Sequence, residues 1–163
     1  MRTPANISGH PIHPMLVTIP IGLWIFSLVA DLVALRSGDP ETWSTVAYYA
    51  LCGGIVGALL AALPGLVDLL SLHDRAIKKT AIVHMSINLT VVALYLVNAW
   101  LRHAQDVTVG GTPLLLSVIA IAMLVVSGWL GGKMVYLAGV GVTPAPETAT
   151  DTAEAKRREE RHA

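Results

Sequence analysis

Two imidazoles stand three residues apart in Gly9-His10-Pro11-Ile12-His13-Pro14, each followed by a proline, directly before a long apolar run. Imidazole is the commonest side-chain ligand for transition metals and an axial ligand of haem. Proline restricts its own backbone and that of the residue before it, so this segment is stiff enough to hold a ring across the end of a helical bundle. A bland use is also open: an extended entry to the first helix, with the rings among lipid headgroups.

His84 is a third candidate, because it lies inside a later apolar run with no charge beside it. Ionisable groups inside a membrane span are costly and point to function by default. At about 100° per residue, Thr80, Asn88, Tyr95, Asn98 and Arg102 fall within roughly 40° of it on the same helix face. Such a polar stripe must face protein or water, either around a ligand or in hydrogen bonds between helices. Asp68 lies near the same end of the bundle and has two uses open to it, orienting a histidine through its second nitrogen or pairing with Arg75 or Lys78. The candidate site is therefore His10, His13, His84 and Asp68, with His13 and His84 as the metal ligands.

The elements that must position these residues are membrane spans. Of 163 residues, 54% are hydrophobic and 13% charged, with a mean hydropathy of +0.63. At roughly 20 apolar residues per span, the length allows about four. Apolar runs place them at about 15–35, 45–70, 80–101 and 113–132. The expected fold is an all-α, four-transmembrane-helix bundle over residues 1–142. Met134 to Val142 is apolar but too short to span, so it packs on the bundle or lies at the interface. Residues 143–163 are rich in proline, threonine and charge and read as a disordered or partly helical tail.

The second span is rich in small residues: Gly54, Gly57, Ala61 and Pro64 share one face with Asp68, a surface for a flat group or, more simply, for another helix. Asp31, at the other end of the bundle near Arg36 and Arg102, reads as half of a structural ion pair. The net charge is +0, which gives no reason to expect nucleic-acid binding. Basic residues gather on the side of the N-terminus, the connection after span two and the tail, so the positive-inside rule expects both termini in the cytoplasm of an inner-membrane protein. Phosphate loops, nucleophile elbows and Cys-x-x-Cys are missing from the sequence, which disfavours hydrolytic chemistry.

Taken in order, Gly-His-Pro-Ile-His-Pro-Met-Leu-Val-Thr-Ile-Pro from Gly9, Asp31, Pro64-Gly65-x-x-Asp68, His84, Gly128-Trp129-Leu130-Gly131-Gly132, Val135-Tyr136 and Gly139-Val140-Gly141-Val142 carry a resemblance. The chain resembles the domain-of-unknown-function 2231 family of predicted bacterial four-span membrane proteins. Relatives joined to Rieske-type iron-sulfur domains imply membrane redox chemistry and, by analogy, a b-type haem. His10, His13 and His84 match the family's histidines. Leu137-Ala138 depart from it, standing where a basic residue and a histidine are often found.

These readings converge on a membrane electron-transfer component with haem b or another metal centre, its partners the lipid bilayer and a redox protein or membrane subunit, with a homo-oligomer also open. The alternative is a non-catalytic subunit or scaffold that binds a protein through its glycine-rich helix faces and charged tail. One geometric demand comes with the first reading. His84 lies on the order of 6 Å inside its span whereas His13 precedes its own, so tilt or an inward-folded N-terminal segment must close the gap.

Overall fold

A computed structural model describes residues 3–104 and 110–142; the predicted tail, 143–163, lies outside the described residues. A short antiparallel hairpin pairs β1 (Asn6–Ile7) with β2 (His10–Pro11). Its two-residue turn is made by Ser8 and Gly9 at φ of 51° and 82°, the left-handed values that suit a tight hairpin. Five helices follow: α1 (Ile12–Leu16), α2 (Thr18–Ala34), α3 (Pro40–Ser71), α4 (Arg75–Ala104) and α5 (Gly111–Tyr136). The segments Ile12–Ala34, Pro40–Ser71, Arg75–His103 and Gly111–Tyr136 are long and apolar enough to cross a membrane. The protein is an all-α, four-helix membrane protein. The hairpin, and the break at Val17 between α1 and α2, are features the apolar run did not announce.

Local chemistry sets the helix starts. The Asp39 carboxylate accepts the Thr42 amide at 3.2 Å and Pro40 occupies the first turn, where it needs no hydrogen-bond partner. Asp74 does the same for α4, accepting the amides of Ala76 and Ile77 at 2.8 and 2.9 Å. Large apolar side chains such as Phe26, Leu59, Leu96 and Val125 point outward, as a lipid-facing surface requires.

The helices pack chiefly as two pairs, α2 with α3 and α4 with α5. Where the pairs meet, the interior is layered. At its centre the Trp24 indole stacks on Tyr95, ring centres 4.4 Å apart and 12° from parallel, among Leu51, Ile55, Val91 and Ala120. At one end Asp31 and Arg102 form a two-pronged ion pair at 2.6 and 2.7 Å, and both side chains are at most 2% exposed. Asn98 accepts from the Arg102 Nε and donates to the Pro113 carbonyl and Ser117 hydroxyl on α5. At the other end Leu69, Leu72 and Ala81 gather Met134 from the last turns of α5 and Val140 beyond it, so the fourth spanning helix runs on through Met134 and the short segment after it packs on the bundle.

Removing one partner of a buried ion pair strands the other charge at a cost of about 3–5 kcal/mol. Asp31→Ala therefore lowers the thermal unfolding temperature in detergent far more than Glu41→Ala at the exposed start of α3. Asp39 responds to pH. Its hydrogen bonds to Thr42 hold its pKa below the ordinary 3.8, so the cap is fully present above that value and is lost as pH falls through the lowered one. Hydrogen exchange at Thr42 should accelerate over that window.

Candidate functional site

His13 and His84 come together at the end of the bundle opposite the ion pair. Their ring centres are 6.4 Å apart and their planes stand at 88°. The depth gap is closed: α1 carries His13 to the level of His84, while α4 begins roughly 13 Å earlier along its axis at 1.5 Å per residue. The segment before it is tied down, since Asp68 Oδ1 accepts the Ala5 amide at 3.0 Å.

Each ring is held in the same way. His13 Nδ1 lies 2.8 Å from the Ala61 carbonyl on α3, and His84 Nδ1 lies 2.9 Å from the Ser127 carbonyl on α5. A helical carbonyl accepts one bond from the amide four residues on but has a second lone pair. The residue four positions on shares its face, so a bulky side chain there would block an approaching ring. Both positions are glycine. A Cβ on Gly65 would come within 2.7 Å of His13 Nδ1, and one on Gly131 within 3.2 Å of His84 Cε1.

This arrangement fixes the tautomers. A carbonyl only accepts, so a neutral ring in this seat carries its proton on Nδ1 and keeps the lone pair on Nε2; the His84 Nδ1 also lies 2.9 Å from the Ser127 hydroxyl. Asn88 completes the setting of His84. Its amide nitrogen lies 2.6 Å from Ser127 Oγ, 2.8 Å from the His84 carbonyl and 3.2 Å from His84 Nε2. An amide nitrogen has two hydrogens, and the two shorter contacts use both. The Nε2 lone pair of His84 is thus lightly held.

The other predicted residues are placed differently. His10 is exposed on the hairpin, with Nδ1 3.2 Å from the Ser8 carbonyl, and does not join the pair. Among the described residues Asp68 is bonded to no imidazole: carbonyls orient His13 and His84, and the carboxylate anchors the chain leading to His13. Among the described residues no three His, Cys, Asp or Glu side chains gather around a metal-sized space.

The glycine-rich face of α3 is filled by its own neighbours. A Cβ on Gly54 would strike the Trp24 indole at 2.4 Å, and one on Gly57 would meet Ile19 and Pro20 at 3.0 and 3.2 Å. That face packs helices and offers these glycines neither to a flat group nor to a partner. The α4 stripe does face protein at Asn88, Tyr95, Asn98 and Arg102, while Thr80 turns back to the Ala76 carbonyl. The carbonyl seats were missed. A glycine four residues after a carbonyl has no signature until the approaching ring is known.

Replacing Gly65 by alanine pushes His13 off its seat, whereas Gly131→Ala needs a shift of only a few tenths of an ångström. Thermal stability in detergent should therefore fall more for the first variant than for the second.

No curated protein and no solved structure matches the chain. A family model described as a predicted membrane protein (DUF2231) matches residues 9–144, a stretch that includes both seated histidines, the ion pair and all four spans. The chain belongs to that family.

Proposed function

We propose that this protein is a small membrane electron-transfer component that holds a metal centre between His13 and His84, with haem b as the cofactor. The observation that carries this reading is the pair of imidazoles from different helices, each tied through Nδ1 to a helix carbonyl so that Nε2 keeps the electrons a metal takes. Two imidazoles bonded to one metal at about 2.0–2.1 Å place their ring centres roughly 5–6.5 Å apart, depending on the angle between them. The 6.4 Å separation of His13 and His84 falls within that range.

Donor count favours haem, whose macrocycle supplies four nitrogens and asks the protein for two. When bound, haem exchanges single electrons between its ferric and ferrous states. The chain's own residues do the rest. Ala61 and Ser127 set the tautomers, Gly65 and Gly131 admit the rings, Asn88 stands beside the His84 donor, and Asp68 anchors the segment bearing His13.

The histidine end carries Arg75, Lys78, Lys79 and Lys133, against Arg36 as the exposed cation at the far end. This bias supports an inner-membrane orientation with that end, and both termini, in the cytoplasm. A redox protein meeting that face is the partner this reading calls for.

Protein purified in mild detergent should show a Soret band that sharpens on reduction. His13→Ala and His84→Ala should each abolish its six-coordinate form, and His103→Ala should leave it intact. A preparation with neither a Soret band nor bound metal would overturn the reading.

A further inference from the structure

The bundle is built twice from one pattern. His13 and His84, Trp24 and Tyr95, and Asp31 and Arg102 are each separated by 71 residues. Each pair is also in contact: two rings at 6.4 Å, a stack at 4.4 Å and an ion pair at 2.6 Å. Pro20 with Val91 and Ser27 with Asn98 keep the same offset, and all four are buried.

The second helix of each pair repeats as well, at an offset of 66 residues (61 to 127, 65 to 131). The buried residues of α5 are Pro113, Ser117, Ala120 and Ser127, and each matches a buried residue of α3: Ala47, Leu51, Gly54 and Ala61. The hydrogen bonds follow the same correspondence. Ser27 donates to the Ala47 carbonyl and Asn98 to the Pro113 carbonyl. His13 meets the Ala61 carbonyl beside Gly65, and His84 meets the Ser127 carbonyl beside Gly131.

Corresponding residues that touch one another lie on a two-fold axis, as in an isologous dimer interface. Each unit has two spans, so both copies run the same way and the axis follows the membrane normal. Three layers mark it: imidazole on imidazole, indole on phenol, carboxylate on guanidinium. The last layer shows how the halves have diverged. Two copies of the first half would set Asp against Asp, and two of the second Arg against Arg, so opposite charges select the joining of unlike halves.

We propose that the protein is a tandem pair of one two-span hairpin about this axis, and that His13 and His84 are equivalent donors presenting both Nε2 lone pairs to a single group on it. The identity of that group rests on the metal-centre reading; the equivalence of the two nitrogens does not.

The test uses the full chain in detergent, labelled with ¹⁵N at histidine. Ring-nitrogen NMR should find His13 and His84 both protonated at Nδ1 and bare at Nε2. Zn²⁺, which imidazole binds well and whose remaining positions water can fill, should shift both Nε2 signals together at one ion per chain, and His13→Ala or His84→Ala should each abolish the joint shift. Different tautomers, or a Zn²⁺ shift confined to one ring, would overturn the proposal. Matching tautomers and a joint Zn²⁺ shift, with no Soret band on adding haemin, would reject haem and uphold the two-fold site. The ion-pair layer gives a test of the axis without any ligand. Asp31→Arg combined with Arg102→Asp should recover thermal stability lost in either single variant, whereas a double variant no more stable than the singles would contradict the two-fold arrangement.

Discussion

Inside a bilayer a polar side chain has no water to fall back on, so each must be satisfied by another helix or remain a penalty. The Asp31 to Arg102 ion pair is the strongest expression of that constraint here. It joins α2 to α4 through two charge-assisted bonds, and Asn98 extends it to α5. The register it fixes along α2 and α4 is the register that lays Trp24 on Tyr95 and, further along, brings His13 level with His84. The histidine pair is thus positioned by packing and charge at the opposite end of the bundle as well as by its own hydrogen bonds.

Backbone carbonyls, rather than carboxylates, orient the rings. A carboxylate behind an imidazole would bring a charge into the bundle, whereas a helix carbonyl brings only a second lone pair. The cost is steric, since the carbonyl can be reached only past a residue with no side chain. Gly65 and Gly131 are small for that reason, while Gly54 is small because the Trp24 indole occupies the space. One residue type serves two different ends within the same helix.

The spans, the inward-facing stripe of α4 and the partnership of Asp31 with a basic residue were legible because hydropathy and helical periodicity act locally. His13 and His84 were legible as residue types with a shared end of the bundle. Their seats were not, because a hydrogen bond from His13 to Ala61 crosses 48 residues of chain, and nothing local to either residue announces it. Asp68 illustrates the same limit. Its place near the histidines was readable, but its choice of the Ala5 amide depends on a hairpin turned at Ser8 and Gly9, which neither hydropathy nor helical periodicity announces. The two-fold repeat is faint in the sequence because the halves share positions more than residue types: indole answers phenol and carboxylate answers guanidinium, while identity survives at few places, among them His13 with His84 and Gly65 with Gly131.

On the proposed reading two histidines, one from each half, face a common group at one end of the bundle. An experimental density map of the protein isolated from its own membranes tests this most directly. Density should join Nε2 of both His13 and His84, with Nδ1 of each still on the carbonyls of Ala61 and Ser127. Rings turned so that Nε2 meets those carbonyls, with nothing between them, would contradict it.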